Sequence, residues 1–302
     1  MIFKAINKDF LSVFKPIRWY QNLLILLGGI SAVILLRVPD FNAWRTILLA
    51  MVAGCLISSG NYGINEISDM EHDKYHPQKK NRMLPSGRLK PVSVFLSSVF
   101  IYLLGFGIAI FLKKWLITLL FILYFVNALF YNLQPLRLKD RPFLDFISEA
   151  LNSPIRFLIG WYAVAVDIHK MFPVVIVFAL WFFGIFLMSS KRFGEIGLIQ
   201  DKEQLGNFRK SMSYYSRKKL LFFMITSLCI SYCLMGIFYT QHDVNPVILL
   251  PFVIIWTVWF FYLACEENTI VKDPGRIFEK IPFLLFSILC VTLFIWELIS
   301  KM

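Results

Sequence analysis

Charge is scarce in this chain. Asp, Glu, Lys and Arg make up 17% of its 302 residues, while 58% are hydrophobic. Soluble domains carry about 25% charged residues, so both figures point to lipid as the main solvent. Histidine is nearly missing, at four residues. Cysteine is also sparse: Cys55, Cys229, Cys233, Cys265 and Cys290 each lie in or beside an apolar run. None has metal-ligand spacing with histidine, which excludes a zinc site of the usual kind. The five cysteines are expected to be small buried hydrophobes. Acid is rarer than base, 19 residues against 31, for a net charge of +12. In a soluble protein that balance would suggest nucleic acid. In so apolar a chain it suggests basic loops beside anionic lipid and argues against a nucleic-acid partner. Low-complexity tracts are absent. The first apolar run lacks a small-residue cleavage site, so it is expected to stay as a span.

What is abundant is apolar sequence in long runs. A spanning helix needs about 20 mostly apolar residues. Nine segments qualify: 20–38, 45–65, 92–112, 115–134, 144–166, 171–190, 219–240, 246–265 and 281–299. Only Lys113 and Lys114 separate the third from the fourth, which predicts a tight hairpin. With the N-terminus in the cytoplasm, cytoplasmic segments hold 24 Lys and Arg and the opposite side 6. That asymmetry is a positive-inside signal. The expected fold is therefore an all-α integral membrane bundle of nine transmembrane helices, N-terminus cytoplasmic. Two long polar cytoplasmic segments, 67–91 and 191–218, follow spans two and six. Their four-span separation would suit an internally duplicated four-helix unit.

The end of span two concentrates acid: Asn65, Glu66, Asp69, Glu71 and Asp73 lie within nine residues. At 100° per residue, Glu66, Asp69, Asp73 and Asn65 share a fan about 100° wide. Carboxylates that close raise one another's pKa unless a cation intervenes. Oxygen-only ligands suit Mg²⁺, which usually keeps waters and bridges to phosphates. Acids at a helix C-terminus also oppose the macrodipole, so helix propensity does not explain them. Directly afterwards come His76, Pro77, Lys79, Lys80, Arg82 and Arg88. Acids for metal next to bases for phosphate is what a diphosphate requires. The plainer reading is a solvated acidic helix end followed by an ordinary basic loop.

Span five carries the second cluster. Asp145, Glu149, Asn152 and Arg156 fall within about 60° on a single helix, a narrow polar stripe. Ionisable residues inside a membrane mark functional cavities by default. Otherwise Arg156 would pair with Glu149 or Asn152 of its own helix. Upstream lies a basic loop with Tyr131, Arg137, Lys139 and Arg141; downstream, Lys191, Arg192, Glu195, Arg209 and Lys210. Lys191 and Glu195, at i and i+4, would pair with each other in the plainer reading. The alternative is a phosphate-binding lid.

These motifs resemble the UbiA superfamily of intramembrane transferases. Its first motif, Asn-Asp-x-x-Asp-x-x-x-Asp followed by Arg-Pro-[Leu/Ile]-Ala-Ser-Gly, corresponds to Asn65-Glu66-x-x-Asp69-x-x-x-Asp73 and then Arg82-Met83-Leu84-Pro85-Ser86-Gly87. Glu66 stands where Asp is usual, and Met83 where Pro is usual. The branch most similar is the decaprenyl-phosphate phosphoribosyltransferases. His76-Pro77-x-Lys79, Lys191-Arg192-Phe193-Gly194-Glu195 and Arg209-Lys210-Ser211-Met212-x-x-Tyr215 carry that likeness. The second Asp-rich motif of aromatic prenyltransferases is not evident. The likeness covers roughly residues 15–220, and the remainder matches only as hydrophobic spans.

The resemblance implies a single transmembrane transferase domain over 1–302, its motif loops 65–90 and 191–218 on the cytoplasmic side of the inner membrane. It implies Mg²⁺ held by Glu66, Asp69 and Asp73, with Lys191 and Arg192 also catalytic. Substrate binding would fall to Asn65, Lys79, Lys80, Arg82, Tyr131, Lys139, Asp145, Glu149, Arg156, Arg209 and Lys210. The implied reaction moves a phosphoribosyl group from phosphoribosyl diphosphate to a polyprenyl phosphate, releasing pyrophosphate. Isoprenyl transfer to an aromatic or other small acceptor is the alternative, and an ion-coupled transporter is a third reading. Membrane lipid is a partner on any of these, and a homo-oligomer is left open.

Overall fold

The computed structural model describes residues 8–38, 41–76, 78–165, 173–198, 202–242, 245, 247–265 and 280–300. Among them every regular element is helical. The order is α1 (Lys8–Ser12), α2 (Leu23–Leu36), α3 (Phe41–Asp69), α4 (Pro91–Phe111), α5 (Trp115–Asn132), α6 (Leu144–Ala150), α7 (Asn152–Val164), α8 (Val174–Leu198), α9 (Lys202–Phe208), α10 (Arg217–Gln241), α11 (Leu249–Cys265) and α12 (Ile281–Ile299). Seven stretches are helical, long and apolar enough to cross a bilayer, the first running Phe10–Leu36 with a 3-10 turn at Pro16–Asn22. Leu249–Leu263 is a shorter apolar helix.

The expected fifth span, 144–166, is not one helix. It breaks at Leu151 into α6 and α7. Pro154 explains the break, since it lacks an N–H and its ring crowds the carbonyl four residues back, on Ala150. Asn127 of α5 bridges the gap, donating from Nδ2 to the Ser148 carbonyl and to Asn152 Oδ1, both at 2.9 Å. The polar stripe is therefore divided between two helices, with Asp145 and Glu149 on α6 and Asn152 and Arg156 on α7.

α3 is the longest element at 29 residues, about 44 Å at 1.5 Å per residue. A hydrocarbon core is about 30 Å thick, so α3 outruns it and carries Glu66 and Asp69 to an edge. The helix ends at Asp69, and Asp73 sits on a separate 3-10 turn, His72–Tyr75. α8 also runs past its expected end, to Leu198, so Lys191, Arg192 and Glu195 lie on its last turns and not in a loop. The predicted α4–α5 hairpin is present: Lys113 takes a left-handed turn (φ 53°), and Lys114 Nζ donates to the Ala163 carbonyl at 2.6 Å, closing the end of α7.

α2 and α7 pack backbone against backbone. A Cβ on Gly160 would stand 1.8 Å from the Ile25 carbonyl oxygen, and one on Gly28 2.0 Å from that of Phe157. Backbones meet directly there, the usual device of membrane helices that have no hydrophobic drive between them. The main core joins Ile25, Ile47, Ile57, Phe121, Phe157 and Ile159 across α2, α3, α5 and α7. Not all cysteines are buried as expected. Cys55 is, but Cys229 and Cys233 are exposed on α10 and Cys290 is half-buried; the Cys265 side chain lies outside the described residues.

Candidate active site

The acidic end of α3 is answered base for acid. Glu66 Oε1 lies 2.6 Å from Lys15 Nζ and 3.0 Å from Arg82 Nη1. The same Arg82 nitrogen reaches Asp73 Oδ2 at 2.8 Å, so one guanidinium bridges both carboxylates. Asp69 takes Lys139 Nζ at 2.6 Å and Arg137 Nη2 at 3.3 Å. Asn65 Nδ2 donates to Asp69 Oδ2 at 3.3 Å and to Asn132 Oδ1 at 2.6 Å, tying α3 to the end of α5. Burial raises the Asp73 carboxyl above its ordinary pKa despite Arg82. Burial also lowers Lys139 to about 8, although Asp69 holds it up. Both effects are the cost of gathering charge out of water.

A second network centres on Arg192, which is wholly buried. Its guanidinium meets Asp145 at 2.9 Å, Glu149 at 3.2 Å and Glu195 at 2.9 Å. The Tyr131 hydroxyl donates to Glu149 Oε2 at 2.9 Å and accepts from Arg192 and Arg209, each at 3.1 Å. Asp145 also accepts from Ser211 (3.2 Å) and Tyr215 (2.5 Å). Lys191 reaches Glu149 at 3.5 Å and not Glu195, correcting the i, i+4 pairing. The helical register permits that pairing, but α6 offers a carboxylate on the cavity side. Arg156 likewise pairs with neither Glu149 nor Asn152: it donates to Asn22 of the first 3-10 turn and to Tyr124 of α5.

The two polar segments meet above these networks. Lys79 Nζ lies 3.2 Å from Glu195 Oε1 and 4.3 Å from the Phe208 ring centroid. The His76 ring packs edge-on against Phe208, and His72 Nδ1 is 3.2 Å from the Asn207 carbonyl oxygen. His76 is a local brace: Nδ1 accepts from the backbone N–H groups of Gln78 and Lys79. Burial, with Lys79 nearby, lowers its pKa to about 4, so it stays neutral. Burial lowers Lys79 to about 8, against the pull of Glu195.

Beneath lies a cavity of about 790 Å³, within the roughly 300–1,000 Å³ of small-molecule sites. Seven basic residues line it, Lys15, Arg18, Lys79, Arg82, Arg156, Lys191 and Arg209, against three acids, Asp69, Glu149 and Glu195. Neutral polar groups such as Asn61, Asn65 and Asn152 also line it, and a long apolar wall comes from α2 (Leu23 to Ile30), α8 (Leu180, Phe183, Leu187) and α12 (Ile288, Val291, Ile295).

Residues 23–273 match the UbiA prenyltransferase family. The chain belongs to the UbiA prenyltransferase family. It is thus an integral membrane transferase. The match runs past residue 220, where the motif likeness stopped, into spans that look merely hydrophobic. A decaprenyl-phosphate phosphoribosyltransferase of Corynebacterium glutamicum is 27% identical over 265 residues, 83% of this chain and 75% of that protein. The enzyme of the same name from Mycolicibacterium smegmatis is 26% identical over 72% of this chain and 66% of its own length. Among solved structures, a UbiA homologue from Archaeoglobus fulgidus bound to GPP and Mg²⁺ superposes with a TM-score of 0.73 at 17% identity, covering 97% of this chain and 99% of that one.

Within this UbiA fold the expected site residues divide into three groups. Asn65, Asp69, Lys79, Arg82, Tyr131, Glu149, Arg156, Lys191 and Arg209 line the cavity together. Glu66, Asp73, Lys139, Asp145 and Arg192 are buried behind that surface, holding the residues that form it. Lys80 and Lys210 are exposed and are not part of the cavity lining. Lys15, Arg18, Gln21, Tyr62 and Tyr124 also line it but are not among the sequence candidates. The orientation rule absorbed Lys15 and Arg18 as ordinary cytoplasmic charge. Tyr124 carries no signal in an apolar run.

The donor set at the acidic motif is three carboxylates and an amide, oxygen ligands that suit a hard divalent cation. Glu66 Oε1 is buried and, beyond its ion pairs, has no hydrogen bond. Among the described residues no three His, Cys, Asp or Glu side chains converge closely enough to enclose a metal. Each acid instead faces a Lys or Arg. Such cations are natural phosphate ligands. The residues fit such a group on their chemistry.

Proposed function

We propose that this protein transfers a phosphoribosyl group from 5-phosphoribosyl 1-diphosphate to a polyprenyl phosphate, with Mg²⁺. One observation carries the reading: the cavity joins a strongly basic end to a long apolar wall. Two phosphorylated substrates, one of them a lipid, need that combination. Similarity to phosphoribosyltransferases of the same branch supports it. Divalent metal use is supported by the Mg²⁺-bound homologue from Archaeoglobus fulgidus.

On this reading Glu66, Asp69 and Asp73, with Asn65, would hold Mg²⁺, which supplies charge neutralisation at the diphosphate. Lys79, Arg82, Lys191 and Arg209 bind and orient the phosphates. The lipid phosphate oxygen forms a bond to the ribose anomeric carbon as the bond to the diphosphate oxygen breaks. The nucleophile is already anionic, so no strong base is required. The departing charge meets fixed Lys and Arg cations in a shielded site, where such preorganisation counts most. Arg192 and Asp145 are positioning residues, acting through Tyr131, Glu149 and Glu195. On this reading the motif segments face the cytoplasm, where a water-soluble donor arrives.

The test is Mg²⁺-dependent label transfer from phosphoribosyl diphosphate into polyprenyl phosphate by purified protein in detergent. Pyrophosphate released from an isoprenyl diphosphate, but not from phosphoribosyl diphosphate, would sink this reading in favour of prenyl transfer. Turnover that needs a membrane gradient would favour a transporter.

A further inference from the structure

We infer that Arg156 seats a phosphate monoester carried on a lipid. This deepens the proposed reaction and rests on it, because it gives the acceptor's headgroup its own site. The starting observation is an imbalance of charge. Lys15, Lys79, Arg82, Lys139, Lys191 and Arg192 each lie against a carboxylate. Arg156 is 6% exposed inside α7, and its partners are neutral. Nε donates to Asn22 Oδ1 at 3.0 Å, and Nη2 to the Tyr124 hydroxyl at 2.6 Å and to Gln21 Oε1 at 3.4 Å. Among the described residues Nη1 has no partner, and the side chain lines the cavity.

A guanidinium buried in a membrane bundle without an anion is expensive, and a neutral side chain would fill the place more cheaply. Its neighbours hold it rigidly. The Tyr124 ring lies 5.0 Å from Cζ, and Ser58 Oγ fixes both Asn22 (3.2 Å) and Tyr124 (3.1 Å). The result is one cation, fixed in direction, with its free face toward the cavity. An anion completes it.

Depth decides which anion. Ser58 precedes Glu66 by eight residues and Asp69 by eleven on α3, so the Arg156 nest lies about 12–16 Å further along that helix than those two acids. The apolar wall begins beside it, at Leu23 and Leu24 directly after Asn22. A water-soluble phosphate has no reason to pass the basic end for this position. A phosphate on an isoprenoid does, because its chain then lies along α2.

The experiment measures equilibrium binding of three probes to purified protein in detergent: a polyprenyl monophosphate, the matching polyprenyl alcohol, and 5-phosphoribosyl 1-diphosphate. The wild type should prefer the monophosphate to the alcohol. Arg156→Gln should lower monophosphate affinity about ten- to hundredfold, the weight of a charge-assisted hydrogen bond, and leave the alcohol and the donor near wild type. Asn22→Asp guards against simple misfolding. It places a carboxylate where the amide oxygen accepts from Nε, so the protein should keep its Tm and still lose the monophosphate. Unchanged monophosphate binding in Asn22→Asp would overturn the inference. So would equal wild-type affinity for alcohol and monophosphate, or a loss confined to the donor. Wild-type protein that holds the monophosphate through Arg156 yet transfers no phosphoribosyl group keeps this site and removes the donor proposed above.

Discussion

Asp69 combines roles that its neighbours divide. It lines the cavity, where Glu66 and Asp73 do not, and it meets Lys139 and Arg137. Asp69→Asn keeps the shape and removes the charge. Turnover should fall about a hundredfold or more, the usual effect of deleting one preorganised electrostatic contact; label transfer at saturating Mg²⁺ measures it. Lys79 offers a second test. Burial leaves its pKa at about 8, so the free protein loses this cation as pH rises from 7 to 9. An anionic donor binds the protonated form, so affinity should weaken across that window, approaching about tenfold per pH unit above the pKa. Lys79→Arg should flatten the slope, since arginine stays charged. Calorimetric titrations from pH 7 to 9.5 decide; equal slopes in both proteins would remove Lys79 from the donor site.

Among the elements, the α2–α7 contact and the α6–α7 break set the geometry that the site depends on. Gly28 and Gly160 allow α2 and α7 to touch through their backbones, which brings Asn22 to Arg156. Gly160→Ala forces a methyl into the Ile25 carbonyl and should destabilise the protein by about 1–3 kcal/mol, as overpacking does. Gly107 on α4 is the control: a Cβ there meets nothing within 4 Å. Gly107→Ala should therefore be neutral or stabilising by up to about 1 kcal/mol, from helix propensity alone. Thermal unfolding in detergent compares the two, and equal shifts would contradict the packing argument. On either side of the break at Leu151, Asp145 and Glu149 meet Arg192, while Arg156 meets Asn22.

For the molecule as a whole, the cavity is closed by two segments far apart in sequence. Lys79 meets Glu195, His76 meets Phe208 and His72 meets Asn207 across separations of more than a hundred residues. Segments joined in this way should respond together. Phosphoribosyl diphosphate with Mg²⁺ should slow amide exchange in 72–82 and 202–215 at once. Glu195→Gln should speed exchange in both without ligand, because it removes the ion pair that links them. Protection confined to one segment, read by hydrogen-exchange mass spectrometry, would show that they do not act as one cover.

The apolar runs and the Asn65-to-Gly87 motif were enough to point to a helical membrane transferase of this family. Those signals are local: hydropathy reads span by span, and the motif spans a single helix end. The tertiary structure decided which charges face the cavity. Lys191 and Glu195 look like a pair on one helix, yet Lys191 finds Glu149 on α6, and Glu195 takes Lys79 from a distant segment together with Arg192 of its own helix. Arg192 reads as a phosphate ligand and is enclosed by three carboxylates. Lys15 and Tyr124 carry no signal in sequence and line the site. Charge partners in a bundle are chosen by which helix faces which, and that follows from backbone contacts such as Gly28 to Phe157, which no periodicity encodes.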